Sequence, residues 1–317
     1  MFNYDKSEIV AISRLNDFIA NNTEKVLRLS KILNFIKMGK LGKFLCLKGG
    51  TAINLFVLDL PRLSVDIDYD FSFDCSKEEM LQIRETIKKE IINYMSVEGY
   101  LLANNTKYTH SLDSFVFSYN TISGSRDNLK IEINYSNRVH ILPIITETTG
   151  IPLGEIVTTN MLSFDELIGS KINALINRTT PRDIYDTYSV LKKDSYDLEL
   201  IKKIAIFYVA LGSDLPLDFD EKVRICIERI QMITYNKLRD NLIPLLHKKE
   251  KIDINCMQEF VVLSLKNVFV LNENEKKFLE LFNRGVFNQK LLFENYEVND
   301  LSKHPIVIWK LNKYKED

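Results

Sequence analysis

The sequence has little of what builds disulfide-rich, zinc-binding or fibrous proteins. Only 4 of its 317 residues are cysteine. They lie far apart without a Cys-x-x-Cys pair, which is too sparse for a disulfide scaffold and indicates buried, reduced thiols. The 4 histidines form neither a His-x-His nor a His-Glu-x-x-His pair, so no zinc-hydrolase ligand set is visible. With 11 glycines and 7 prolines, collagen-like and low-complexity architectures are excluded.

An excess of charge of either sign is also missing. Lys and Arg number 42 against 43 Asp and Glu, a formal net charge of −1. This balance argues against a strongly basic nucleic-acid binder and against a polybasic membrane-surface protein, although it leaves room for a local basic patch. The opening residues lack the apolar run of a signal peptide, and no apolar stretch is long enough to span a bilayer. We therefore expect a cytoplasmic protein with no membrane partner.

A chain of this length suggests about two domains. The first half alternates strand and helix patterns, with a buried strand at Phe44–Lys48 and a period-two strand at Val65–Phe71. From Ser163 the pattern is helical, and Glu166 three residues later predicts a capping box there. Pro181 suits the start of a second helix. We predict an α/β domain over residues 1–158, with helices at its N-terminus, and a helical domain over residues 159–317.

Lys48-Gly49-Gly50-Thr51 stands where the first strand ends and a helix begins. Two glycines allow a sharp turn and a close approach of a ligand to the backbone, and free N–H groups at a helix N-terminus attract anions. The pattern is typical of a phosphate cradle. It is also typical of an ordinary strand-to-helix turn, so the motif by itself leaves both readings open.

Acidic residues alternate along the second strand. Asp66 and Asp68 project from one strand face, and two carboxylates so close together are tolerated when they are solvated or bridged by a cation. Oxygen ligands of this kind suit Mg²⁺. Glu132, on the alternating strand Leu129–Tyr135, is a candidate third acid. A solvated strand face remains the alternative for all three. A glycine turn with three acids is the set that nucleotidyl transfer with two metal ions requires.

The run Lys48-Gly-Gly-Thr51 followed by Arg62-x-Ser64-x-Asp66-Ile-Asp68 resembles the signature of the AbiEii/AbiGii toxin family. These are nucleotidyltransferase-like proteins of the polymerase-β superfamily. Thr51 stands at the superfamily's usual serine, and the gap to Asp66 is longer than in its tightest pattern. Two later blocks are also similar to the family: the helix that carries Lys171, and the Arg-Asp-x-x-Asp motif beginning at Arg182.

The resemblance implies a fold, a chemistry and residue roles. The fold class is α+β, a nucleotidyltransferase-like mixed sheet with flanking helices followed by an all-helical C-terminal half. Asp66 and Asp68 would bind two Mg²⁺ ions, with Glu132 as third ligand or as base. Lys171 would neutralise phosphate charge, and Asp183 would order Lys171 or Arg182. The helical domain would contribute Lys171 and Asp183 to the cleft. The residues that would bind the nucleotide are Lys48, Gly49, Gly50, Thr51, Arg62, Ser64 and Arg182. Structural alternatives stay open for four of these residues. Arg62 and Ser64 would then only fix the loop, and Lys171 would be a surface lysine. Asp183 would simply pair with Arg182 or Lys193.

The resemblance further implies an Mg²⁺-dependent enzyme that transfers a nucleotide from an NTP to RNA, namely to the 3′ end of tRNA. It would act as the toxin of a toxin–antitoxin or abortive-infection system, with a cognate antitoxin encoded by an adjacent gene. Residues 24–48 carry seven basic side chains and one acid, which predicts either a positive surface beside the site or a solvated helix face. Alternatives are transfer to a protein or small-molecule hydroxyl, and a non-catalytic nucleotide-binding module.

Overall fold

The structure is a computed structural model that describes residues 2–193 and 195–316. The chain divides into two compact units. The first carries all the β-strands and the first four helices, and the second carries the remaining helices. The division is not a single cut, because Val139–Ile144 belongs to the second unit and Leu245–Lys249 to the first.

The first unit is built on an eight-stranded mixed sheet in the order β3-β5-β6-β2-β1-β8-β7, with β4 pairing β5. β2 is antiparallel to β1 and parallel to β6, and β1 is parallel to β8. The remaining pairs are antiparallel. The strands are β1 (Leu45–Lys48), β2 (Asp66–Phe71), β3 (Leu101–Leu102), β4 (Lys107–Tyr108), β5 (Leu112–Asn120), β6 (Arg126–Asn134), β7 (Ile145–Gly150) and β8 (Ile156–Met161).

The central strands have two unlike faces because their residues alternate. Leu47, Ile67, Tyr69 and Ile131 are at most 1% exposed and form part of the core. The residues between them along β2 and β6 are mostly acidic or polar, and they form the opposite face. Period-two alternation of this kind separates a buried apolar face from a polar one. The acids of β2 are therefore held on one side of the sheet.

Four helices belong to the first unit. They are α1 (Lys6–Leu15), α2 (Ala20–Met38), the short α3 (Gly49–Ala52), which continues as the π-helical turn Ile53–Val57, and α4 (Lys77–Val97). The hydroxyl of Ser76 caps α4 by accepting from the Glu79 amide, as expected for an N-cap serine. The helices α1 and α2 are separated by a turn at which Asp17 has a positive φ of 54°.

The second unit is helical, as the sequence predicts. Its α-helices are α5 (Phe164–Arg178), α6 (Pro181–Leu191), α7 (Leu198–Gly212), α8 (Phe219–Gln231), α9 (Tyr235–Asn241), α10 (Ile254–Val268), α11 (Glu273–Asn283), α12 (Lys290–Phe293) and α13 (Pro305–Glu316), with 3-10 turns at Ile243–Leu245 and Leu301–Lys303. The predicted fold class, an α+β chain with a mixed sheet, flanking helices and an all-helical second half, is confirmed.

The predicted capping box at the start of α5 is wrong. Ser163 occupies the N-cap position, but its side chain makes no capping hydrogen bond. Glu166 is fully buried and accepts instead from the backbone amides of Ile141 and Leu142 and from the Tyr208 hydroxyl. A buried carboxylate needs several donors. Three donors from elsewhere in the second unit therefore prevail over the local cap.

Among residues 2–193 and 195–316, no single helix is both long and apolar enough to cross a membrane. The helices α10 and α11 pass a length and composition test for a span only when taken together, and they are bent by 86° at the break between them.

Candidate active site

The site is built on the polar face of the sheet in the first unit. Asp68 of β2 lies in register with Lys48 of β1 on one side and with Glu132 of β6 on the other. Asp66 pairs with Lys130 in the same ladder. Residues in register on adjacent strands project from the same face, as do residues i and i+2 along one strand. Asp66, Asp68 and Glu132 therefore share one face, as the sequence predicts.

The glycine turn lies against the Asp68 carboxylate. Gly49 has a positive φ of 72°, and a Cβ built on it would stand 2.4 Å from Asp68 Oδ2. Only glycine adopts this backbone conformation readily, and only glycine leaves room for the carboxylate. At Gly50 a Cβ would meet Arg62 Nη2 and Ser64 Oγ, each at 3.1 Å. The turn is thus packed against the acidic strand rather than merely near it in the chain.

Thr51, Arg62 and Ser64 lie inside the protein, at 1%, 2% and 8% exposure. The Thr51 hydroxyl donates to the backbone carbonyl of Asp66 and lies 3.1 Å from Ser64 Oγ. Arg62 donates to the Leu63 carbonyl at 3.0 Å. These contacts fix the turn and the start of β2 relative to each other. They agree with the loop-fixing alternative for Arg62 and Ser64.

Lys48, a predicted nucleotide ligand, contacts an acid that the sequence reading assigned no role. Its Nζ lies 2.5 Å from Asp70 Oδ1, and Asp70 is 2% exposed. Burial raises the pKa of the Asp70 carboxyl, and the Lys48 ammonium opposes that rise. The third aspartate of the alternating strand is therefore an internal counter-ion for the lysine that precedes the glycine turn. Its position in the alternation with Asp66 and Asp68 was the signal available in the sequence.

The three acids fit a divalent cation by donor type and by shared face. Carboxylate oxygens are the ligands that Mg²⁺ prefers, and the cradle at Gly49 keeps a side chain away from Asp68. Yet no three His, Cys, Asp or Glu side chains of the described residues are grouped closely enough to hold a metal ion. Glu132 instead forms an ion pair with Lys130, with 2.9 Å between Glu132 Oε1 and Lys130 Nζ. Cation binding would therefore require these side chains to converge.

The other predicted residues form a buried ionic cluster inside the second unit. Lys171 of α5 is 6% exposed, and its Nζ lies 3.1 Å from Asp183 Oδ1 and 2.7 Å from Asp186 Oδ2. Both carboxylates are fully buried on α6. Lys171 is therefore not a surface lysine. Arg182 is half-buried in the first turn of the same helix.

The Asp183 carboxylate also accepts from Arg178 and from both the hydroxyl and the backbone amide of Thr180. Arg178 Nε and Nη2 bond its two carboxylate oxygens at 2.7 and 2.8 Å, and the Thr180 hydroxyl donates at 2.6 Å. The capping box of α6, formed by Thr180 and Asp183 with Pro181 behind the cap, brings them together. Burial opposes ionisation of Asp183, but Arg178, Lys171 and Thr180 outweigh it and hold its pKa well below the usual value. Arg178 is not among the predicted site residues, although it lies four residues before the Arg-Asp-x-x-Asp motif.

The basic run at residues 24–48 is largely neutralised. Four of its seven cations are paired with acids: Lys25 with Asp127, Arg28 with Glu24, Lys31 with Glu155 and Lys48 with Asp70. Arg28 is also 8% exposed and therefore buried. These four pairings weaken the predicted positive surface, whereas Lys40 and Lys43 stay exposed to solvent.

Comparisons with known proteins agree with this architecture. The family model described as "Nucleotidyl transferase AbiEii toxin, Type IV TA system" matches residues 34–253, more than half of the chain. Nine chains of solved structures match the fold. Among them is MenT4, a nucleotidyltransferase toxin from Mycobacterium tuberculosis H37Rv, with a TM-score of 0.59 and 13% sequence identity over 96% of this chain and 98% of that chain. A comparison with curated protein sequences finds no match.

Proposed function

Because the chain belongs to the AbiEii nucleotidyltransferase toxin family of type IV toxin–antitoxin systems, we propose that it transfers a nucleotide from an NTP to the 3′ end of an RNA, and specifically of tRNA. The observation that carries the proposal is the single sheet face on which Asp66, Asp68 and Glu132 lie beside the Gly49 turn. A protein that only bound a nucleotide would have no need of three acids on that face.

In the proposed reaction the 3′-hydroxyl oxygen of the RNA forms a bond to the α-phosphorus of the NTP. The bond from that phosphorus to the oxygen bridging to the β-phosphate breaks, and pyrophosphate leaves with the bonding electrons. We assign the hydroxyl proton to the Glu132 carboxylate, the role of base that the family resemblance allows. Asp66 and Asp68 would hold two Mg²⁺ ions, with Glu132 available as a further ligand. When bound, such ions stabilise charge on the attacking and leaving oxygens.

The glycine turn would hold the NTP phosphates. Backbone N–H groups of Gly49, Gly50 and Thr51 lie at the start of α3, where unpaired amides favour an anion. Lys48, at the N-cap position, would give its charge partly to the nucleotide and partly to Asp70. Arg62 and Ser64 would act behind the turn, because both are buried against Gly50.

For the second unit, we propose that Lys171 supplies positive charge for the nucleotide phosphates and that Asp183 positions it. Arg182, next to Asp183, would assist as a phosphate ligand. Substituting Lys171 with Met should then raise the KM for the NTP. Substituting Asp183 with Asn should raise the same KM by a smaller factor, because it displaces Lys171 without removing its charge. Equal effects of both substitutions on folding alone, with kinetics unchanged per folded molecule, would contradict this assignment.

The deciding experiment incubates the protein with total tRNA, Mg²⁺ and each of the four labelled NTPs. We expect label in tRNA from at least one nucleotide, and none from the double variant Asp66→Asn, Asp68→Asn. The matched control is Asp74→Asn, because Asp74 is an exposed aspartate beyond the end of β2. Label only in protein or in a metabolite would identify a different acceptor. Calorimetric NTP binding without turnover would indicate a binding module.

The cation requirement is tested separately. Chelation of divalent ions should abolish transfer, and added Mg²⁺ should restore it. If transfer continues after chelation, the proposed role of two Mg²⁺ ions is refuted, whereas the proposed nucleotidyl transfer is not.

Membership of a type IV system implies an antitoxin. We propose that it is encoded by the adjacent gene and that its co-expression relieves the growth inhibition caused by this chain. An active toxin whose inhibition is unaffected by the product of either adjacent gene would contradict this part of the proposal.

A further inference from the structure

A groove of about 670 Å³ leads away from the carboxylates of the first unit. Asp66 and Glu132 line one end of it. Its floor continues along the same sheet face through Lys130 of β6 and Ser114 of β5, which lies in register with Glu132. Lys107 of β4, in register with Ser114, stands on the far side. The β4–β6 groove, as we call it, is thus an extension of the acidic face across three strands.

The groove is lined with groups that bind phosphate and ribose. Lys107 and Lys130 supply ammonium groups, and the exposed Asn105 and Thr109 supply an amide and a hydroxyl. In the described part of the chain, no carboxylate lies within ion-pair distance of Lys107. Its charge is therefore available to a ligand, whereas Lys25, also in the lining, is paired with Asp127 at 3.3 Å.

The same lining has no platform for bases. Among the described residues that form it, none is aromatic. Tyr108 neighbours Lys107 in sequence, but its ring stacks edge-on against Phe115, which belongs to the apolar face. Many single-strand binders stack successive bases on aromatic side chains, and the described residues of this lining offer no such platform. The lining also holds Asp66 and Glu132 at its acidic end, Asp127, which is paired with Lys25, and the apolar Leu112 and Val116. Its other groups are cations, amides and hydroxyls, which suit the sugar–phosphate backbone and give little base discrimination.

We propose that the β4–β6 groove holds the ribose–phosphate backbone of the acceptor RNA just upstream of its reacting 3′-hydroxyl. This rests on the proposed function, because it assumes that the carboxylate end of the groove is where transfer occurs. The glycine turn lies on the β1 side of Asp68 and the groove on the β6 side of Asp66, so donor and acceptor would approach the acids from opposite directions. Lys107 would contact a backbone phosphate, and Lys130 would contact the phosphate nearest the reacting end.

The test measures RNA binding directly, without NTP. A fluorescently labelled single-stranded RNA with a free 3′-hydroxyl is titrated with the full chain, and its anisotropy is followed from about 0.05 to 0.3 M salt. For single strands each phosphate contact contributes about 0.7 to the slope of log K against log salt, so one contact is worth about five-fold at about 0.1 M. Lys107→Gln should therefore weaken binding about five-fold and reduce the slope by about 0.7. Lys130→Gln should have a smaller effect on both, because Lys130 is already paired with Glu132 at 2.9 Å.

The matched control is Lys89→Gln. Lys89 is an exposed lysine of α4, the helix from which Arg84 reaches Asp113 on the opposite, apolar side of the sheet. Its removal should leave both affinity and slope unchanged. Equal affinities for the Lys107 and Lys89 variants, or a wild-type chain that binds no RNA, would overturn the inference.

The labelling experiment distinguishes this failure from failure of the proposed function. Suppose that tRNA is labelled and that Lys107→Gln is as active as the wild type at low RNA concentration. This result would support the proposed function and refute RNA binding in the groove. If RNA binding depends on Lys107 but no nucleotide labels the RNA, the role of the groove is supported and the proposed nucleotide transfer is refuted. Binding of an unfolded protein substrate in place of RNA would refute the choice of ligand.

Discussion

Replacing Gly49 with Ala should separate the chemistry of this site from its stability. Two costs follow from the structure. The first is conformational, because a residue with a Cβ at φ 72° loses about 1–2 kcal/mol relative to glycine. The second is steric, because the new Cβ would stand 2.4 Å from Asp68 Oδ2, whereas real Cβ atoms essentially never come within 3.0 Å of another atom. The carboxylate or the turn must therefore move by about 0.6 Å or more.

A movement of this size acts on catalysis more than on folding. Displacing a catalytic group by about 1 Å can cost about a hundred-fold in rate, so we expect kcat to fall by about ten- to a hundred-fold. The control is Gly99→Ala, since Gly99 also has a positive φ, of 82°, but nothing lies within 4 Å of its Cβ position. Gly99→Ala should lose about 1–2 kcal/mol of unfolding free energy and Gly49→Ala at least as much, while only Gly49→Ala should lose activity per folded molecule.

The measurement pairs urea unfolding with the rate of nucleotide transfer at saturating NTP, normalised to folded protein. The reasoning is refuted if Gly49→Ala transfers as fast as Gly99→Ala at equal stability. In that case the contact between the turn and Asp68 would be incidental to the chemistry. An equal loss of activity per folded molecule in both variants would refute it as well.

Further predictions concern the buried cluster and the thiols. Asp183→Ala leaves Lys171 buried beside Asp186 alone and should cost about 3–5 kcal/mol of unfolding free energy, measured in urea. Because the folded pKa of Asp183 lies below its unfolded value of 3.8, its contribution to stability is present above that pH and is lost as pH falls through and below it. The stability advantage of wild type over Asp183→Asn should therefore shrink between about pH 6 and about pH 3, and a constant difference would contradict the assignment. Burial raises the pKa of Cys226 to about 11, so a thiol reagent should label the exposed Cys256 and leave Cys226 unmodified until the protein unfolds.

Features set by local periodicity could be predicted from the sequence. The alternation of Asp66, Ile67, Asp68 and Tyr69 fixes which side chains face the core, and this holds whatever the neighbouring strands are. The shared face of Asp68 and Glu132 follows only when β2 and β6 are adjacent in register, and the family resemblance supplied that expectation. The helix start at Pro181 was likewise predictable, because proline and its capping residues act within a single turn.

Features set by distant partners could not be predicted. The hairpin of β7 and β8 lacks a strong apolar alternation, and β7 residues are at most half-buried at the sheet edge. Ser163 and Glu166 match a local capping pattern, but the Glu166 carboxylate accepts hydrogen bonds from the Ile141 amide and the Tyr208 hydroxyl instead. A short-range pattern predicts a side chain's role only where no buried donor from another element competes for it.

The same reasoning changes what the near-zero net charge means. A sum of 42 against 43 describes a surface only if the charges are on the surface, and here several are not. Lys48 is held by the buried Asp70, and Lys171 is held by two buried acids. Such pairs can act on a nucleotide bound beside them, but they add little net charge to the long-range field that draws in a polyanion. The charges that decide recognition are those that remain exposed and unpaired along the groove leading from the acids. Lys107 is such a charge, so its removal should affect RNA binding more than the total charge implies.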